Sequence, residues 1–297
     1  MRIGYPCINR SIGCTANTTF RLASYSEKNL IDKVTNNLNC LKKILEFNVK
    51  NRLLFFRISS DLVPFASHPI CTFKWQNYFK KDFLEIGRYI KKHRMRISMH
   101  PDQFVLINSP NPDVVSRSIK ELIYHCEVLD LLELNYTAKV QIHVGGIYGD
   151  KAEAFRRFVY EYQKLPSIIK NRLVIENDHV AYSLKDCLRV HEETGIPVVF
   201  DSFHHECLNN NETIKEAMLK ASKTWHRRDG VLIVDYSSQK PRASKGTHAE
   251  HINIKHFTKF INQTQELDYD LMLEIKDKEK SALKALMVIN KKYLDKA

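Results

Sequence analysis

Short apolar runs alternate with amphipathic stretches along the whole chain. The runs cover residues 2–5, 53–58, 95–99, 139–144, 173–175, 198–200, 231–234 and 271–275. Each is short, and residues 197–200, Pro-Val-Val-Phe, are apolar or proline throughout, as expected of a strand buried on both faces of a parallel sheet. Between them the apolar positions recur at helical spacing. Val115, Ile119, Leu122, Cys126, Leu129 and Leu132 form one such face, and Asn111-Pro112 ahead of it offers a cap residue followed by proline at the first helical position. Similar faces run through 30–47, 79–90, 155–165, 184–191, 214–225, 254–261 and 283–293. Eight strand-helix units in 297 residues, with no linker, predict a single closed TIM (β/α)8 barrel domain over residues 1–297. A doubly wound open sheet fits less well. No glycine-rich fingerprint follows the first run, where Gly4 and Gly13 stand alone.

In such a barrel the chemistry lies at the carboxyl ends of the strands. The third run leads to His100, the fourth contains His143, the fifth leads to Glu176 and the sixth to Asp201. Asp235 follows the seventh run and Glu274 lies within the eighth. His68, His204 and His248 occupy loops leaving the same rim. Any one of these has an ordinary structural explanation, such as a core histidine, a helix cap or a surface ion pair. Together they are hard to assign to chance. Gathering so many acids in one mouth costs several kcal/mol per charge unless cations neutralise them. Carboxylate oxygen and neutral imidazole are good ligands for divalent ions. Two or three ions are expected, with Glu176 on the middle strand as the bridge. Paired ions can activate a water and stabilise the leaving oxygen of a phosphodiester.

Charge narrows the partner. A net charge of +12 points to an anion, with nucleic acid the first candidate. Gln103 and Phe104 beside His100, and Lys240, Arg242 and Lys245 ahead of His248, suit a site that stacks on a base and holds its phosphates. Seven cysteines, an odd number without a C-x-x-C pair, read as reduced packing thiols in a cytoplasmic protein. The first residues lack a signal-peptide apolar region, no apolar run is long enough to span a bilayer, and no obligate protein partner is implied. A monomer is expected.

At these residues the chain resembles the UV damage endonucleases, relatives of endonuclease IV. The matching stretches are Gly-Tyr-Pro-Cys-Ile-Asn at 4–9, Pro-Phe-Ala-Ser-His-Pro at 64–69 and Ser-Met-His-Pro-Asp-Gln at 98–103. They continue with Ile-His-Val-Gly-Gly-Ile-Tyr-Gly at 142–149, Ile-Glu-Asn-Asp at 175–178, Asp-Ser-Phe-His-His at 201–205, Gly-Thr-His-Ala at 246–249 and Leu-Glu-Ile-Lys at 273–276. The resemblance implies a TIM barrel with a metal cluster, usually Mn2+, with Zn2+ or Mg2+ as alternatives. It implies nicking of damaged double-stranded DNA immediately 5′ of pyrimidine photoproducts, leaving a 3′-hydroxyl and a 5′-phosphate. His100, His143, Glu176, Asp201, His204, His248 and Glu274 match its metal ligands. Tyr5, Gln103 and Phe104 match residues that probe the lesion, and Asn9 and His68 match further positions lining the site. Three positions depart from the family pattern. Phe104 stands where tyrosine is common, Asp235 where a histidine ligand is found, and Ile233 where some members carry a modified lysine.

Two other classes compete. A divalent-metal sugar isomerase or epimerase on the same barrel explains Glu176, Asp201, Asp235 and Glu274, but not the basic balance or His204 and His248. A non-catalytic nucleic-acid binder has no use for an acidic mouth that repels phosphates.

Overall fold

The computed structural model describes residues 1–294. Eight strands, β1 (Ile3–Pro6), β2 (Phe55–Ile58), β3 (Arg96–Met99), β4 (Lys139–His143), β5 (Leu173–Glu176), β6 (Val198–Asp201), β7 (Leu232–Tyr236) and β8 (Tyr269–Leu273), pair in parallel and in chain order. β1 closes against β8, so the sheet has no edge. The crossovers carry the predicted helices: Glu27–Lys50, Lys80–Lys92, Pro112–Leu131, Lys151–Lys164, Leu184–Thr194, Ile214–Ser222, Ile254–Thr264 and Glu279–Leu294. Pro112 opens its helix behind an Asn111 cap, whose side chain accepts from the Asp113 N–H. The last strand begins two residues earlier than its apolar run suggests. Asp270 can be buried inside it because Arg2 and Arg96 pair with its carboxylate at 3.0 and 3.1 Å. No helix among the described residues is long and apolar enough to cross a membrane.

The lumen of the barrel is filled in layers, set by the two-residue period of the strands. Near the amino ends, Arg96 meets Asp270, and Lys139 meets Asp229 at 2.5 Å. Above them lies a separate apolar cluster of Phe55, Val174, Val199, Ile233 and Met272. Ile233 is thus part of an apolar plug, two residues below Asp235 on the same strand face. Advancing two residues from each plug member reaches Arg57, Glu176, Asp201, Asp235 and Glu274, so the layer above the plug is almost entirely charged. Gly4 keeps the wall of β1 thin, since a Cβ there would lie 1.8 Å from the Phe55 carbonyl oxygen.

One expectation is corrected. Cys14 and Cys40 form a disulfide, with α-carbons 6.0 Å apart. The segment after β1 folds back over the helix Glu27–Lys50 and brings together thiols 26 residues apart, a proximity that spacing alone does not show. Cys7, Cys71, Cys126, Cys187 and Cys207 are free.

Candidate metal centre

Glu176 lies at the centre of the charged layer. It ends β5, is 1% exposed, and its Oε1 has no hydrogen-bond partner. His100 Nε2 stands 3.3 Å and His143 Nε2 3.8 Å from its Oε2, and His204 Nδ1 stands 3.2 Å from its Oε1. Asp201 ends β6 and spends Oδ1 on the His204 backbone N–H at 2.7 Å, capping the short helix Ser202–Cys207. Its Oδ2 has no hydrogen-bond partner and lies 3.4 Å from His204 Nδ1. Two sets of ligand atoms result, His100/His143/Glu176 and Glu176/Asp201/His204, each within 4.8 Å and sharing Glu176. Buried carboxylate oxygens without a hydrogen-bond partner, gathered beside imidazoles, are the expected signature of a cation site, because burying them without full compensation is costly. The residues present fit divalent metal.

Backbone carbonyls orient the imidazoles. His100 Nδ1 lies 2.8 Å from the Pro101 carbonyl, His204 Nδ1 3.0 Å from that of Asn177, and His248 Nδ1 2.7 Å from that of Glu274. At His100 and His248 Nδ1 is therefore the donor, which leaves Nε2 with its lone pair free for a metal, whereas His204 turns the same Nδ1 toward the Asn177 carbonyl and the carboxylates of Glu176 and Asp201. His248 is placed by a tight loop, where Gly246 adopts a φ of +86° and a Cβ would lie 2.3 Å from the His179 ring. His179 also stacks on His204, with ring centroids 5.1 Å apart, and it lines the same cavity. The sequence reading did not single it out, because it stands three residues past the strand end at Glu176.

Two further residues escaped the sequence reading, Arg57 and Gln141. Arg57 Nη2 donates to both Asp235 oxygens at 2.9 and 2.8 Å, and Nη1 donates to Glu274 Oε1. Gln141 Nε2 donates to Glu176 Oε2 at 2.5 Å and Asp235 Oδ2 at 2.6 Å, while its Oε1 accepts from Arg57 at 3.0 Å. The signal was present in both runs, Arg57 as the polar residue of an otherwise apolar strand and Gln141 midway between Lys139 and His143 at the two-residue period of one strand face. Burial alone would raise Glu274, but Arg57 outweighs it and holds the carboxyl at about 2. Burial pushes Asp235 up to about 7 against the pull of Arg57. Asp201 is raised well above the carboxylate range by burial, with Glu176, Glu274 and Asp235 adding to it. Burial alone would lower His204, but Asp201 and Glu176 push it up to about 11. Asp201 and His204 hold protons tightly, so metal must compete with protons to bind between them.

The layer floors a cavity of about 830 Å³ lined by Arg57, His100, Gln103, His143, His204, His248 and Glu274, among others. On its rim Phe104 is 63% exposed, large for an aromatic side chain with no evident structural duty. Lys240 pairs with Glu250 at 2.7 Å, and Arg242 and Lys245 are exposed on the loop before His248. Tyr5 and Asn9 are not brought to this cavity. Tyr5 is fully buried, its hydroxyl donating to Asn48 Oδ1 at 2.6 Å and accepting from Asn9 Nδ2 at 2.8 Å. His68 is exposed, its Nδ1 accepting from the Ile70 N–H at 3.1 Å, and it too lies outside the cavity lining.

The family model described as UV-endonuclease UvdE matches residues 1–295. The chain belongs to the UV-endonuclease family. A UV DNA damage endonuclease of Clostridium perfringens is 41% identical over 302 residues, covering 100% of this chain and 73% of that protein. One from Bacillus thuringiensis is 32% identical, covering 92% of this chain and 87% of its own length. The crystal structure of SacUVDE superposes with a TM-score of 0.93 at 46% identity, covering 100% of both chains. A D-psicose 3-epimerase from Clostridium cellulolyticum, at 13% identity and TM-score 0.53 over 79% of each chain, shares the fold alone. As a member of the UV-endonuclease family the protein is an endonuclease on a TIM barrel, and its lumen carries groups able to bind metal.

Proposed function

We propose that this protein is a metal-dependent DNA repair endonuclease that nicks duplex DNA immediately 5′ of UV photoproducts, both cyclobutane dimers and 6-4 products, leaving a 3′-hydroxyl and a 5′-phosphate. The observation that carries this reading is the pair of buried oxygens without a hydrogen-bond partner, Glu176 Oε1 and Asp201 Oδ2, among His100, His143 and His204 under a cavity with an exposed aromatic on its rim. Glu176 would bridge the ions, His100 and His143 would complete one site, Asp201 and His204 the other, and His248 and Glu274 flank them. Divalent ions bound there, most simply Mn2+, supply an activated water and neutralise the leaving oxygen.

The chain's own residues do the rest. The carbonyls behind His100, His204 and His248 hold the rings in their ligand orientation. Gln103 and Phe104 enter the duplex at the lesion, where weak pairing lowers the energy of extrusion. Lys240, Arg242 and Lys245 hold backbone phosphates, in keeping with the net charge of +12. The substrate is damaged double-stranded DNA inside the cell, and a monomer suffices because all the groups come from one chain. A sugar epimerase on this barrel would have no use for the exposed Phe104 or the basic balance.

The test is incubation with an end-labelled duplex carrying one defined photoproduct. EDTA should abolish incision and manganese restore it. Full activity in rigorously metal-free protein would remove the metal from the mechanism, and incision of undamaged duplex at the same rate would remove the lesion.

A further inference from the structure

The charged layer contains four carboxylates, Glu176, Asp201, Asp235 and Glu274, and they do not have the same surroundings. Glu176 and Asp201 keep an oxygen without a hydrogen-bond partner. Asp235 keeps none. Its Oδ1 accepts from Arg57 Nη2, and its Oδ2 accepts from Arg57 Nη2 and Gln141 Nε2. Glu274 Oε1 is held by the other arm of the same guanidinium. Both ligand sets found among the described residues contain Glu176, and neither contains Asp235.

We propose that the Arg57 guanidinium serves as a built-in cation between Asp235 and Glu274, so that the chain binds two metal ions, not three, and Asp235 is a counter-ion to Arg57, not a ligand. This inference rests on the metal-dependent reading above. Charge supports it. Once metal has displaced their protons, four carboxylates less one guanidinium leave three negative charges, which two divalent ions already exceed by one. A third ion would add two more positive charges to a buried layer, beside the Arg57 guanidinium that already spans Asp235 and Glu274. Geometry supports it too, since Arg57 is 3% exposed and its planar fork matches Asp235 and Glu274 at once. Gln141 extends the arrangement, joining Asp235 to the metal-facing Glu176 through one carboxamide. Arg57 and Gln141 are in this sense positioning residues for Glu176 and Glu274.

The experiment is metal counting on full-length protein, dialysed to equilibrium against manganese and measured by inductively coupled plasma mass spectrometry with parallel protein quantification. Wild type should hold two ions per chain. Asp235→Asn, which keeps the shape but not the charge, should still hold two, and Glu176→Gln should hold fewer than two. Near-ultraviolet circular dichroism checks that each variant is folded. Three ions in wild type, or one ion lost from folded Asp235→Asn, would overturn the proposal. Should Asp235→Asn fail to fold, the wild-type count still decides between two and three. No bound manganese in wild type, or two ions retained in Glu176→Gln, would instead remove the metal centre on which the inference stands.

Discussion

The backbone N–H of His204 donates to Oδ1 of Asp201 at 2.7 Å, while Oδ2 of the same carboxylate has no hydrogen-bond partner. One side chain therefore starts a helix with one oxygen and offers the other to a cation. Folding and metal binding can be separated at this residue. Asparagine caps helices about as well as aspartate, so Asp201→Asn should unfold in metal-free buffer within about 1 kcal/mol of wild type. The added thermal stability that manganese confers on wild type should be much reduced in the variant, as should incision. Equal manganese stabilisation of both proteins in thermal melts would take Asp201 out of the metal site.

Phe104 is 63% exposed, so folding draws little from its burial. Base–aromatic stacking is worth about 1–3 kcal/mol, so Phe104→Ala should weaken photoproduct binding by about ten- to a hundredfold without lowering the melting temperature. Phe104→Tyr should be neutral or better, because it keeps the ring and adds a hydroxyl. Lesion affinity unchanged in the alanine variant, by fluorescence anisotropy on a defined duplex, would end its role as a wedge.

Tyr5 should behave in the opposite way. Its hydroxyl is buried between Asn48 and Asn9, and removing it strands both partners. Tyr5→Phe should lower stability by about 1–3 kcal/mol with lesion affinity unchanged in the folded protein. A loss of binding with no loss of stability in urea titration would return Tyr5 to the DNA-contacting set.

His125 makes the fold acid-sensitive. It is fully buried, its Nδ1 at 2.8 Å from the Glu121 carbonyl and its Nε2 at 3.1 Å from Ser60 Oγ, which in turn donates to the His100 carbonyl. Burial lowers its pKa to about 4 from an ordinary value of 6.5. Between those values the unfolded chain takes up a proton that the native ring refuses. The stability contribution is therefore complete above pH 6.5 and is lost as pH falls through 4. From pH 7 to pH 5 the loss from this residue is about 2 kcal/mol. His125→Gln should flatten the stability profile by that amount in metal-free urea titrations. An unchanged slope would show that another group controls it.

Much of this protein is legible without coordinates because much of it is local. Strand and helix periods depend on neighbours a few residues apart, and eight repeats of one pattern leave few architectures open. The strand-end residues His100, His143, Glu176, Asp201 and Asp235 follow from the same logic, since a barrel places every such end on one face. The family motifs, spread from residue 4 to residue 276, added the class of chemistry. Partnership was decided elsewhere. Asp235 and Glu176 look alike in the sequence, each ending an apolar run, yet one carries the Arg57 fork and the other keeps an oxygen free. Arg57 lies 178 residues from Asp235 and 217 from Glu274, and only closure of the barrel sets them in one layer. The Cys14–Cys40 bridge and the burial of Tyr5 are of the same kind. Sequence periodicity determines which face a side chain lies on. Which charge, thiol or hydroxyl it meets across that face depends on strand register and barrel closure, and these are settled by packing of the whole chain.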